Sequence, residues 1–116
     1  MKILVLEDDT YRVTFFIERF CHADLYITEK ADVAIDYLES SFFDYIFLDH
    51  DLGENNGCGA DVASYLANNS DNPNNETKIV IHSWNIPAAK AMRDKLPYSV
   101  LAPFNSDIFF SLDLDK

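Results

Sequence analysis

Tyr45-Ile46-Phe47-Leu48-Asp49-His50-Asp51-Leu52-Gly53 is the stretch whose reading decides the fold. Its first four residues are apolar without alternation, as expected of a central parallel strand covered on both faces. The run stops at three consecutive polar residues, which cost stability at the end of a buried strand unless they serve a purpose. Working outward, short apolar runs alternate with helix-period segments along the whole chain. Toward the N-terminus, Ile3-Leu4-Val5-Leu6 reads as a strand ending in Glu7-Asp8-Asp9. Val13, Phe16, Ile17 and Phe20 then repeat at i, i+3, i+4, i+7, the spacing of one buried helix face, with Asp9 or Thr10 as N-cap. Leu25 to Ile27 reads as a second strand, and Thr28 as the cap of a helix built on Ala31, Ala34, Ile35 and Leu38.

Toward the C-terminus, Val62, Ala63 and Leu66 mark a third helix, and the polar tract Asn68 to Asn75 reads as a solvated connector. Ile79-Val80-Ile81 is a fourth strand, ending in His82-Ser83-Trp84-Asn85. Pro87 suits the first turn of a fourth helix carrying Ala88, Ala91 and Met92. Val100-Leu101 before Pro103 reads as a fifth strand and Ile108 to Leu112 as a short last helix. Five such pairs imply an α/β fold over residues 1–116: a single doubly wound, five-stranded parallel sheet of flavodoxin-like order 2-1-3-4-5. In that order the ends of strands one, three and four lie side by side, at the carboxyl edge where such sheets bind ligands.

The chain of 116 residues carries 20 Asp and Glu against 9 Lys and Arg, a formal net charge of −11. That balance argues against duplex nucleic acid or an anionic membrane as a partner, because tracking phosphates requires a basic surface. A small phosphorylated ligand is still allowed. With 48% apolar residues the chain buries a core and is not a disordered acidic tail. Cys21 and Cys58 form no CxxC pair and read as free thiols of a reducing cytoplasm. The apolar run after Met1 stops at Glu7, too early for a signal peptide or a membrane span, so a cytoplasmic protein is expected. The Gly53 to Gly59 stretch matches no phosphate-loop motif and reads as a flexible rim, with no organic cofactor expected.

The acidic pair Glu7-Asp8, Asp49 at the end of the third strand, Ser83 at the end of the fourth and Pro103 after the fifth together resemble a receiver domain of the response-regulator type over essentially the full length. The resemblance implies that Glu7, Asp8 and Asp49 hold a divalent cation, Mg²⁺ or Mn²⁺, and that Asp49 accepts a phosphoryl group. One departure stands out. Where the receiver pattern wants a lysine before the proline, this chain has Ala102, and Val100 and Leu101 offer no cation either. A missing ammonium removes a charge that would hold an acyl phosphate, so Ala102 predicts no stable Asp49 adduct. The segments Leu48-Asp49-His50-Asp51-Leu52-Gly53 and Ile81-His82-Ser83-Trp84-Asn85 resemble a divergent lineage, the cyclic-phosphate processing receiver-like domains. That resemblance implies action on cyclic phosphates of nucleotides or RNA ends.

The residue types agree with such chemistry. Opening a cyclic phosphodiester takes a base for water, an acid for the leaving ribose oxygen, and positive charge for the phosphorane oxygens. His50 and His82 can divide the acid and base roles, since imidazole titrates near neutrality. Asp49, Glu7 and Asp8 can orient the rings or hold a metal, leaving Asp51, Ser83 and Asn85 for substrate. In a strictly extended strand His50 points away from Asp49 and Asp51, so a turn is required there, and Gly53 makes one plausible.

Simpler readings stand beside these. Glu7 and Asp8 can cap the first helix, Asn85 can be the N-cap of the fourth, Ser83 can bond local backbone, and His82 can be a satisfied core histidine. Trp84 is expected to pack under the fourth helix, with stacking on a base as the alternative, and Phe15, off the main stripe, is a candidate for partner surface.

The expected function is a phosphoesterase acting on the cyclic phosphate of a nucleotide, an RNA end or a cyclic nucleotide messenger. The alternatives are a stand-alone receiver that accepts phosphate on Asp49 and signals through a protein partner or homodimer, and a non-catalytic binding module. No output module is expected within these residues. Glu7, Asp8, Asp9, Asp49 and Asp51 crowd one sheet edge, so an anionic substrate is expected to need a divalent metal, or a pH acidic enough to charge His50 or His82.

Overall fold

The structure, a computed structural model, describes residues 1–112. Five parallel strands, β1 (Lys2–Leu6), β2 (Asp24–Thr28), β3 (Tyr45–Leu48), β4 (Lys78–Ile81) and β5 (Val100–Leu101), form one sheet in the order β2-β1-β3-β4-β5. Five helices connect or follow them: α1 (Thr10–Arg19), α2 (Ala31–Ser40), α3 (Gly59–Asn68), α4 (Ile86–Lys95) and α5 (Asp107–Phe110). The expected fold class and strand order are those observed.

Strand side chains alternate between faces, and here each face has its own core. Leu4, Leu6, Ile46, Leu48, Ile79 and Ile81 point to the side covered by α2, α3 and α4. Ile3, Val5, Tyr45, Phe47 and Val80 point to the side of α1 and α5, where Phe16, Phe20, Phe104 and Phe109 meet them. Leu6 pairs with Leu48, Leu48 with Ile81, and Ile81 with Leu101. One residue further, at the carboxyl edge, Glu7, Asp49, His82 and Ala102 therefore fall in one row, on the α1 and α5 side.

Several local expectations change in three dimensions. Ile17 is exposed, and the buried stripe of α1 runs instead through Phe16 and Phe20, with Phe15 turned partly inward. Phe15 packs on Phe104, Phe109 and Phe110, so its position off the predicted stripe reflects contact with α5 and the loop before it. In α4 the buried residues are Ala89 and Met92, while Ala91 faces solvent. Thr28 does accept a backbone N–H, that of Lys30 at 3.1 Å, although Lys30 itself holds the N-cap position of α2. The last helix begins at Asp107, one residue early, because Ser106 caps it by accepting the N–H of Phe109 at 3.2 Å.

The tract Asn68 to Asn75 is more than a connector. It contains a 3-10 turn, Pro73–Glu76, in which Asn74 is fully buried. Its Oδ1 accepts the Phe43 N–H at 2.8 Å, and its Nδ2 donates to the carbonyls of Leu38 at 3.1 Å and Ser41 at 2.8 Å. The side chain thus closes the end of α2 and the entry to β3, satisfying backbone groups that no strand or helix reaches. Cys21 and Cys58 are free, and no described helix is long and apolar enough to cross a membrane.

Candidate functional site

Glu7 is buried at the β1 end of the carboxyl-edge row. Its Oε2 accepts the backbone N–H groups of Asp8 and Asp9, each at 3.0 Å, and its Oε1 lies 2.8 Å from His82 Nε2. Burial pushes its carboxyl upward, but the hydrogen bond and charge of His82, the Asp9 N–H and the Arg12 guanidinium outweigh that and hold it at about 2. An ionised Glu7 can only accept, so Nε2 of His82 carries the proton between them. The other ring nitrogen, Nδ1, is buried with no partner among the described residues, in a wall of Phe16, Phe47 and Phe104 rings. His82 is 0% exposed.

Asp49, next in the row, is only 4% exposed. Its Oδ1 accepts the His50 N–H at 2.8 Å, and its Oδ2 lies 3.8 Å from Arg12 Nη1. Burial and the neighbouring Glu7 charge push its carboxyl up to about 6. The same two causes, in the same order, raise Asp8. Like charges crowded into a low-dielectric edge are what these shifts report.

A cleft of about 270 Å³ opens above this row, lined by Asp8, Asp9, Arg12, Asp49, Asp51, Ser83, Trp84 and Asn85. Of the expected site residues it therefore gathers Asp8, Asp49, Asp51, Ser83 and Asn85. Glu7 and His82 lie beneath it, and neither imidazole lines it. His50 sits in a bend that brings its Nδ1 to 2.8 Å from Asp51 Oδ1, and this hydrogen bond lowers the Asp51 carboxyl. Asn85 does two jobs: its Oδ1 accepts the Ala88 N–H at 3.3 Å as the N-cap of α4, and its Nδ2 reaches Asp51 Oδ2 at 3.4 Å. Ser83 Oγ accepts the Asn85 N–H at 3.0 Å, a local turn at the same rim. Asp9 is the N-cap of α1, accepting the Arg12 N–H at 3.0 Å.

The stretch from Gly53 to Gly59 is tied down. Asp51 bridges to Cys58 and the Gly59 N–H donates to the His50 carbonyl at 2.9 Å. A Cβ on Gly59 would lie 1.8 Å from the Asp49 carbonyl oxygen, so only glycine lets α3 start against the strand end that carries the site.

One residue of the cleft, Arg12, is not legible as such in the sequence, and Trp84 is legible only through the alternative reading as a stacking ring. Trp84, expected to pack in the core, is 60% exposed. It lies in the connection between β4 and α4, outside both cores, where its Nε1 donates to the Phe104 carbonyl at 2.7 Å. Arg12, on α1, stacks its guanidinium 4.1 Å above the Trp84 ring centroid and lies 3.6 Å from Glu7 Oε1. The available signal was its position, three residues after the cap Asp9 and four before the core residue Phe16, which turns a cation toward the carboxyl edge.

Glu7, Asp49 and His82 can bring ligand atoms within 4.8 Å of one another. The donor chemistry of the wider cluster suits a hard divalent cation, since carboxylate oxygens dominate it. Both Glu7 oxygens are already hydrogen-bonded, however, so Asp8 and Asp49 are the carboxylates open to a cation from the cleft. A larger cavity of about 610 Å³, lined in part by Ile79, Lys95, Leu96 and Tyr98, lies at the opposite end of the sheet and gathers no comparable cluster.

With this geometry in place, comparison with solved structures shows receiver domains of response regulators. The Mn²⁺-bound form of response regulator Rcp1 superposes with a TM-score of 0.73 at 19% identity, covering 95% of this chain and 88% of that one. Response regulator TrrA from Thermotoga maritima, solved with Mg²⁺ and BeF, gives 0.67 at 18% identity, covering 95% and 94%. The signal receiver domain of a LuxO repressor protein from Vibrio parahaemolyticus gives 0.66 at 19%, covering 94% and 82%. No curated protein sequence matches the chain. The model of the cyclic-phosphate processing receiver domain matches residues 2–97, and the chain accordingly belongs to that family of receiver domains.

Proposed function

We propose that this domain is a phosphate-handling receiver in which Asp49 accepts a phosphoryl group and the resulting state is passed to a protein partner or a second copy of the chain. The observation that carries the reading is the placement of Asp49: one carboxylate oxygen is fixed by the His50 N–H, and the residue lines the cleft with a guanidinium 3.8 Å from its other oxygen. In the transfer, Asp49 Oδ2 forms a bond to phosphorus while the donor's P–O bond breaks and its electron pair leaves with the donor oxygen. Asp8 and Asp49 are the residues that would hold Mg²⁺ or Mn²⁺, which when bound supplies positive charge to the phosphoryl oxygens. Glu7, kept ionised beneath them, adds to the negative potential that favours a cation there.

Intact-mass measurement after incubation with acetyl phosphate and Mg²⁺, quenched in acid, tests the reading. The expected result is a single phosphoryl adduct, absent in Asp49→Asn and short-lived because Ala102 offers no ammonium. No adduct at any time point overturns it.

Hydrolysis of a cyclic phosphate in a nucleotide or RNA end is the second reading, supported by the family to which the chain belongs and by the paired Glu7 and His82. It asks more of the geometry. His82 could exchange a proton with the cleft only through Glu7, and His50, oriented by Asp51 through its Nδ1, is not among the residues that line the cleft. Turnover of 2′,3′-cyclic mononucleotides and cyclic dinucleotides, with and without divalent metal, tests it. Unchanged rates in His50→Ala and His82→Ala would remove both histidines from the chemistry.

A further inference from the structure

A guanidinium carries five N–H donors in a planar fork. That of Arg12 places none of them in a hydrogen bond to the described residues: its nearest acid contacts are ion pairs at 3.6 Å to Glu7 and 3.8 Å to Asp49. Yet the side chain is only 13% exposed, held between the Trp84 ring at 4.1 Å and the Phe104 ring at 5.4 Å. None of its nitrogens is sealed from water, so these donors remain open to a ligand, and they border the cleft.

The rest of the cleft sharpens the point. Its other charged lining residues are the acids Asp8, Asp9, Asp49 and Asp51, and at the row position just after β5 the buried Ala102 brings none. Arg12 is thus the one cationic side chain among the described lining residues. Its stack is itself anchored, because Trp84 Nε1 is bonded to the Phe104 carbonyl. A planar cation stacked on a fixed ring is preorganised for bidentate contact with phosphate oxygens, which a lysine would meet only as a point charge.

We propose that Arg12 is the oxyanion-binding residue of this cleft: its guanidinium holds oxygens of a phosphoryl group on or beside Asp49, and Trp84 is the platform that keeps it within reach. The charge that the resemblance to receivers placed on β5 comes instead from α1. The assignment rests on the reading of Asp49 as the phosphate-handling carboxylate, and the test separates the two.

Trp84 is the single tryptophan of the chain, so its fluorescence reports on the stack directly. The full chain is titrated in Mg²⁺ with beryllofluoride, which mimics a phosphoryl group on a carboxylate, and in parallel with inorganic phosphate. Wild type is expected to show a saturable fluorescence change with beryllofluoride. Arg12→Gln is expected to raise the midpoint at least about tenfold, the scale of one charge-assisted hydrogen bond, and Arg12→Lys to recover part of the loss. A wild-type midpoint in a folded Arg12→Gln protein overturns the assignment. Should that variant unfold, the Arg12 side-chain Nε–H resonance of the wild type decides: a shift on saturation supports the proposal and an unmoved signal overturns it. Arg12-dependent phosphate binding without a beryllofluoride response supports Arg12 and overturns the Asp49 reading. No response to either anion overturns both.

Discussion

Glu7 and His82, 75 residues apart in the chain, meet through a 2.8 Å hydrogen bond with neither side chain exposed. The register of β1, β3 and β4 puts both residues in one row on the same face, on either side of Asp49, and their long side chains close the gap across it. Breaking such a buried pair from one side leaves the other group uncompensated. His82→Phe is therefore expected to destabilise the fold by about 3 to 5 kcal/mol in urea denaturation, and Glu7→Gln, which can still hydrogen-bond His82, by less. The Glu7 carboxyl, ordinarily at 4.5, is held at about 2 in the folded protein, so its contribution is fully present above pH 4.5 and is lost as pH falls toward 2. Thermal melts of wild type should consequently drop more steeply across that window than those of Glu7→Gln.

Phosphoryl acceptance at Asp49 needs the ionised carboxylate, which is raised to about 6. Adduct formation with acetyl phosphate should fall as pH drops through 6. Because the Glu7 charge is one of the causes, Glu7→Gln should move the inflection to lower pH. An inflection near the ordinary value of 3.8 in wild type would show that Asp49 is not perturbed.

The same shift carries a stability cost of opposite sign to that of Glu7. A carboxyl raised from 3.8 to about 6 on folding disfavours the ionised folded state, so stability is lost as pH rises through that range. Asp49→Asn keeps an oxygen for the His50 N–H and removes the charge. It should be more stable than wild type at pH 7.5 by roughly 1 to 3 kcal/mol, with the gain vanishing near pH 4. Paired denaturation curves at the two pH values check this.

Asn74 is a structural residue far from the cleft. Asn74→Ala strands the Phe43 N–H and the Ser41 carbonyl, while the Leu38 carbonyl keeps the Nδ2 of Asn72 at 3.1 Å. A loss of about 2 to 4 kcal/mol is expected, from desolvated groups left unpaired. The cleft lies at the opposite end of β3, so beryllofluoride binding by the folded fraction should not change. A loss below 0.5 kcal/mol on the urea curve would mean that water replaces the side chain.

The order of strands was readable because Tyr45 to Leu48 is apolar on both faces and the acids Glu7 and Asp49 end their strands. Those features belong to consecutive residues, and local periodicity records them faithfully. The position of Ile17 was misread for the complementary reason: periodicity shows that a helix has an apolar face, but the α5 rings decide where that face is centred. Trp84 is expected under the fourth helix, with stacking on a base as the alternative, and its exposure follows from lying between the end of β4 and the cap Asn85. Asn74 looked like loop polarity because its acceptors and donor, on Leu38, Ser41 and Phe43, are more than thirty residues away.

What the chain determined by itself is the doubly wound sheet and the convergence of Glu7, Asp8, Asp49, Asp51, Ser83 and Asn85 at its carboxyl edge, since strand order alone makes neighbours of strand ends. What only the tertiary structure decided is which of these groups face the cleft. The pleat sends Glu7, Asp49 and His82 to one side, α1 then seals Glu7 and His82 from solvent, and that same helix lays Arg12 on Trp84 beside Asp49. Depth and direction of a side chain depend on the element packed over it, and that element is distant in the sequence.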